Sequence, residues 1–177
     1  MEDHEQMIGS TIGPCREYPN MILLFYAIIN AAAVVFFVRL KKRLHILEVM
    51  MYWFAASYMY QNLSALCYMN FKTLIIPDQL SYELAHFLSR ILLYPALIVV
   101  FLHVYLGLGS FLAKLLLAVL YIGLLTGLEW MDHWLGVVVH KNWHFWWSLV
   151  FWLSTLLVLL GFMTAFRKIL FRRNVPK

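Results

Sequence analysis

The stretch MILLFYAIINAAAVVFFVRLKKR, residues 21–43, decides what kind of molecule this chain is. Residues 21–38 carry no charged side chain, and the next five include Arg39, Lys41, Lys42 and Arg43. A helix of about 20 apolar residues, rising 1.5 Å per residue, crosses roughly 30 Å of hydrocarbon. A basic block directly after such a run marks the end that faces the cytoplasm. Pro19 and Asn20 precede the run as helix starts prefer. A signal peptide is the competing reading, with residues 31–33 (AAA) as a cleavage site. The preceding MEDHEQ is acidic where a signal peptide is basic. An uncleaved helix is therefore expected.

The whole chain agrees with that reading. Of its 177 residues 63% are hydrophobic and 13% charged, against about half and a quarter in soluble domains. So little polar surface cannot cover so much apolar surface in water. Five apolar runs predict helices over about 20–38, 47–70, 79–106, 110–133 and 144–168. The fold class expected is all-α: a polytopic transmembrane bundle of five helices and a single domain over 1–177. Residues 1–18 form an extracytoplasmic tail and 169–177 a basic cytoplasmic one. No internal repeat is visible.

Lysine and arginine fix the expected orientation. With the N-terminus outside and the C-terminus cytoplasmic, ten of the fourteen basic residues fall inside: Arg39, Lys41, Lys42, Arg43, Lys114 and the five after residue 166. Glu48 is the one acid near them. The outer side holds Arg16, Lys72, Arg90 and Lys141 against eight carboxylates. The net charge of +5 sits in two flanking blocks, which suit anionic lipids at the cytoplasmic face, at about 1 kcal/mol per basic residue. A nucleic-acid partner is not expected. The remaining expected partners are the bilayer itself and, for the polar face, a second copy of the chain or another membrane protein. The localisation expected is the plasma membrane, multi-pass.

Polar residues concentrate at one level. In the third helix, Pro95 withholds a donor from the carbonyl of Ile91 and predicts a kink. Glu83, His86 and Arg90 before it share one face at i, i+3 and i+7. Residues 127–148, GLEWMDHWLGVVVHKNWHFWWS, end the fourth helix and begin the fifth, with residues 137–139 as a short outer hairpin or re-entrant dip. Glu129, Asp132 and His133 fall on the last turns of the fourth helix. Gln61 and Asn62 reach the same leaflet from the second. A charge within a membrane costs roughly 2.5–3.5 kcal/mol unless it faces a partner or water. The simplest arrangement pairs Arg90 with Glu83 or Glu129.

Glu83, His86, Arg90, Glu129, Asp132 and His133 are thus the candidate polar network. Trp130, Trp134, Trp143, Trp146 and Trp147 form an outer aromatic face that an interfacial belt explains. The belt leaves unexplained why the inner end has only Trp53; an aromatic-lined pocket for an amphiphile would account for it. Among His86, Glu129, Asp132, His133, His140 and His144, the pairs Glu129/His133 and His140/His144 have i, i+4 spacing. HExxH and the paired-glutamate patterns of di-iron bundles are absent. No metal or other cofactor is expected, with His133, His140 and His144 the residues to watch. Catalytic residues are not assigned: Ser148 and Ser154 lack a nucleophile elbow, and serines in membrane helices usually bond the backbone or a neighbour. Cys15 and Cys67 share the outer side and could join there, but a free buried thiol is expected for Cys67.

From the second helix onward the chain resembles an uncharacterised family of small multi-pass membrane proteins of spore-forming Firmicutes, known by a clostridial locus tag. The residues that carry the resemblance are Ile76-Pro77, the YPALIVVFL run around Pro95, Glu129, and HKNWHFWWS over 140–148. The family pattern in the last motif is closer to His-Asn-Gly-Trp-Asn-aromatic-Trp-Trp-Ser. Lys141, Asn142 and His144 depart from it here, which weakens a metal role for His144. The resemblance covers about two-thirds of the chain and brings no established activity. It implies a five-helix plasma-membrane protein with Glu129 and Trp143 on its defining outer face.

Three functions fit these residues. The first is a non-enzymatic protein that binds a lipid, partner or small ligand through the outer polar and aromatic face. The second is a membrane-embedded, metal-assisted hydrolase or isomerase with Glu129 or His133 as acid/base. The third is a small transporter subunit.

Overall fold

The computed structural model describes residues 19–40, 44–67, 69, 73–77, 79–141 and 143–171. The expected tail at 1–18 with Cys15, the end of the first basic block at 41–43, Lys72, Asp78, Asn142 and residues 172–177 lie outside the described residues. Five helices follow one another: α1 Pro19–Arg39, α2 Ile46–Leu66, α3 Leu80–Gly107, α4 Phe111–Trp134 and α5 Phe145–Phe171. Each lies within a few residues of its expected bounds, and among the described residues the regular structure is helical apart from one small ladder.

Four of the five, α1, α3, α4 and α5, are long and apolar enough to cross a membrane. Helix α2 is as long as α1 but more polar, carrying Glu48, Ser57, Gln61, Asn62 and Ser64. Its start is held by a capping box: the His45 ring accepts from the Leu47 amide, and the His45 amide donates to Glu48 Oε2 at 2.8 Å.

Helix α3 changes pitch midway. Leu80–Leu88 is α-helical, Ser89–Leu93 is a π turn, and Tyr94–Gly107 returns to α. Pro95 has no N–H to donate to Ile91, and widening the preceding turn, so that the Tyr94 amide bonds the carbonyl of Ser89, accommodates it. Where a kink is expected at Pro95, the helix carries this π turn.

Two apolar clusters result. The larger joins Tyr52, Ala56 and Tyr60 of α2, Tyr94 to Leu102 of α3, Leu125 of α4, and Trp152, Leu156, Leu159 and Met163 of α5. The smaller joins Ile22 and Tyr26 of α1, Tyr82 and Ala85 of α3, and Val137 and Val138. Helix α3 serves both clusters, the first half packing on α1 and the second on α2 and α4.

The segment after α4 is directed by its cap. Gly136 takes a left-handed φ of 73°, its amide donates to the His133 carbonyl, and the Val137 amide donates to that of Asp132. This is a Schellman turn, which favours a residue without Cβ at that place. It drives Val137 and Val138 into the smaller cluster. The chain then makes an antiparallel ladder, β1 Leu74–Ile75 with β2 Val139–His140, Ile75 facing Val139. The sequence reading held no strand. The expected dip over 137–139 is instead a buried turn followed by a strand, because the backbone groups of Val139 and His140 find partners on the segment before α3.

Candidate functional site

The two carboxylates near the end of α4 are three residues apart, and the helix delivers them to different partners. Asp132, 3% exposed, accepts from Tyr26 of α1 and, at 2.9 Å, from Tyr94 of α3. It therefore sits on the seam between the clusters, bonded to one tyrosine from each. Glu129 turns toward α5: Oε1 accepts from Ser148 at 2.9 Å and Oε2 from the Trp152 indole at 2.8 Å. Ser148 in turn accepts from the Trp143 indole at 2.8 Å. A single carboxylate thus anchors, directly and through one hydroxyl, two tryptophans.

Aromatic rings fill the space beneath. Trp152 stacks on Tyr60 and Tyr94 with centroids 5.4 and 5.1 Å apart, and Tyr60 lies 4.6 Å from Tyr94. Above, the His140 ring stacks on Trp143 at 5.8 Å and stands 4.8 Å from His133. His133 Nδ1 lies 3.1 Å from the His140 amide nitrogen and 3.3 Å from the Val138 carbonyl, accepting from the first in one tautomer and donating to the second in the other. His140 Nε2 lies 3.7 Å from Glu129 Oε1. That separation suits an ion pair, but burial, helped by His133, pushes the His140 pKa down to about 4. At neutral pH the contact is between a carboxyl group and an uncharged ring.

The expected pairing of Arg90 with Glu129 or Glu83 is corrected. The ion pairs among the described residues are His140 with Glu129 and Arg167 with Glu48. Glu129 faces α5 instead, where Ser148 and Trp152 occupy its oxygens. Glu83, His86 and Arg90 do converge, but on a separate cavity that they line with Ser64 of α2. The six residues of the candidate network therefore divide into an α3 group and an α4 group. His133 stays with the latter.

Among the metal candidates, His133 and His140 are neighbours, while the exposed His144 ring lies against Trp147 at 5.2 Å. Among the described residues no three of His, Cys, Asp and Glu stand where they could share an ion. Of the two serines, Ser148 belongs to the Glu129 network, and Ser154 donates to the carbonyl of Phe151.

The five interfacial tryptophans also divide. On α4, Trp134 is exposed, while Trp130 is about half-exposed and lies against His133 and His140. Trp143, Trp146 and Trp147 wall a groove of about 510 Å³ between α2 and α5, with Leu63, Cys67, Thr73, Val150 and Phe151. Cys67 is buried there; Cys15 lies outside the described residues.

Sequence reasoning missed Tyr26, Tyr60, Tyr94 and Trp152 as site residues, and it set Ser148 aside as a serine bonding a neighbour. Each sits inside an apolar run where an aromatic or small polar residue reads as filling. The available signal was the requirement that a buried Tyr or Trp find a partner for its polar atom, which with two nearby acids points to Glu129 and Asp132. Comparison with protein-family models, curated proteins and solved structures finds no match to this chain.

Proposed function

We propose that this is a five-helix protein of the plasma membrane, N-terminus outside and C-terminus cytoplasmic, that holds an amphiphile in the tryptophan groove without chemically changing it. The orientation rests on Arg39, Lys114, Arg167 and Lys168, which gather at the end opposite the ladder and suit anionic lipids there. A non-enzymatic role rests on the use of both α4 carboxylates as acceptors for tyrosine, serine and indole groups.

The observation that carries the reading is the groove between α2 and α5. A belt tryptophan needs only to float at the lipid boundary, whereas Trp143 is tied through Ser148 to Glu129, and Trp147 meets Trp143 and Trp146 edge to face at 5.4 and 5.7 Å. Rigid aromatic walls lower the ordering cost of binding. An acyl chain or other apolar tail fits between them, with the polar head level with Thr73 and the ladder.

Lipid retained through purification, read by native mass spectrometry, tests this reading. Trp147→Ala is expected to remove a bound lipid that Trp134→Ala, on the exposed belt, leaves in place. Equal retention in both variants would reduce the groove to part of the belt. Labelling Lys141→Cys from outside the cell, but not Ser110→Cys, in a background lacking Cys15 and Cys67, tests the orientation.

A further inference from the structure

A second cavity, of about 490 Å³, opens on the other side of the α2 terminus, between α2 and the first half of α3. Its chemistry is unlike that of the tryptophan groove. Glu83, His86 and Arg90 of α3 reach it together with Ser64 of α2. His86 is 4% exposed, and its Nε2 lies 3.4 Å from Ser64 Oγ. Its Nδ1, and the Nε of Arg90, are buried without a hydrogen-bond partner. Leaving a buried polar group unsatisfied costs about 1–3 kcal/mol, and more for a charged one. A guanidinium offers five N–H donors in a fixed fork that suits a doubly accepting anion. The ion pairs among the described residues leave it out.

We propose that this cavity binds the head group of a zwitterionic phospholipid bearing a primary amine. The phosphate is received by Arg90 and by His86 Nδ1–H, the tautomer that results when Ser64 donates to Nε2. The ammonium is received by Glu83. Leu80, Leu84 and Phe87, exposed along the same helix, give one acyl chain its path. Arginine recognises phosphate by paired hydrogen bonds. Glu83 supplies the selectivity: a purely anionic head group would leave its carboxylate facing more negative charge, whereas an amine relieves it. The π turn holds Arg90 in this wall while Tyr94, four residues on, remains in the core. The site does not depend on the tryptophan groove.

The full chain, stripped of lipid in detergent, is titrated with short-chain phosphatidylethanolamine, phosphatidylglycerol and water-soluble phosphoethanolamine, with binding read by native mass spectrometry. The ethanolamine lipid is expected to bind best, and the soluble head group not at all at the same concentration. Arg90→Gln is expected to weaken both lipids by at least about tenfold. Glu83→Gln is expected to invert the preference toward phosphatidylglycerol. Should Arg90→Gln fail to fold, Ala65→Phe decides instead: it fills the cavity from the α2 wall without altering a charge, and is expected to abolish ethanolamine-lipid binding while the lipid held by Trp147 remains. Phosphatidylethanolamine binding unchanged in Arg90→Gln or Ala65→Phe, an unaltered preference in Glu83→Gln, or equal binding of soluble phosphoethanolamine would each overturn the assignment.

Discussion

The Glu48 carboxylate lies 3.0 Å from the Nε of Arg167, joining the first turn of α2 to the last turns of α5. Glu48 is fully buried, while the Arg167 side chain keeps 32% of its exposure. The acid also accepts from the His45 amide at 2.8 Å and the Tyr52 hydroxyl at 3.3 Å. Opposite the ladder, then, the bundle is closed by one internal charge with donors from two helices.

That difference in exposure predicts unequal costs. Arg167→Met leaves a buried carboxylate without its counter-charge, which costs about 3 kcal/mol or more. Glu48→Gln frees an arginine that can turn to water, and should cost about 1–2 kcal/mol. Chemical denaturation in detergent should place the variants in that order below the wild type. The reverse order would mean that the pair is more hydrated than its geometry indicates.

Asp132 predicts coupling between helices distant in sequence. Its oxygens receive hydroxyls from Tyr26 and Tyr94, so Asp132→Ala orphans both and should destabilise by about 3 kcal/mol. Asp132→Asn retains one acceptor and should cost less. In a double-mutant cycle, Tyr26→Phe with Asp132→Asn should show an interaction energy of about 1 kcal/mol or more. Hydrogen exchange in Tyr26→Phe should rise in α1 before α5, since that bond ties α1 to the seam.

The helices were legible because hydrocarbon thickness and apolar run length are set by the same physics. Pro95 announced the break in α3, and the i, i+3, i+7 spacing correctly grouped Glu83, His86 and Arg90. What the residues could not reveal was which way each carboxylate turned. Glu129 and Asp132 lie only about 60° apart around a helix, near enough to share a face, and their partners depend on which neighbour each meets. The search for a charged partner favoured Arg90, whereas both acids are satisfied by neutral donors. Glu48 read as a lone acid near the cytoplasmic blocks, since its pairing with Arg167 needs the α2–α5 contact. The ladder was invisible because two-residue strands have no periodicity to detect.

His140 predicts a pH dependence of known sign. Its pKa in the fold is pushed from an ordinary 6.5 to about 4, burial being the main cause and His133 the second. The unfolded chain therefore takes up a proton first as pH falls, and stability that is full above about pH 6.5 is lost progressively down to about pH 4. His140→Phe preserves stacking on Trp143 and cannot titrate. Thermal unfolding measured across pH 7.5 to 4.5 should show a smaller decline in this variant than in the wild type.

Glu129 gives the clearest separation between a structural lock and a reacting group. Glu129→Gln keeps the shape but offers one acceptor oxygen where two donors, Ser148 and Trp152, point at the carboxylate. The amide N–H faces one of those donors; Ser148 could accept from it beside the Trp143 indole only by turning its own proton away from residue 129 to another acceptor, and Trp152 cannot accept at all. A loss of about 1–3 kcal/mol is expected, with a shift in indole fluorescence as Trp152 or Trp143 loses its partner. Glu129→Ala should cost more, since neither donor then has an acceptor. A Glu129→Gln variant more stable than the wild type would contradict the lock, because strain of that kind is what a site retained for acid/base chemistry would carry. An unchanged stability would equally count against the lock, since two donors sharing one acceptor oxygen must then cost nothing.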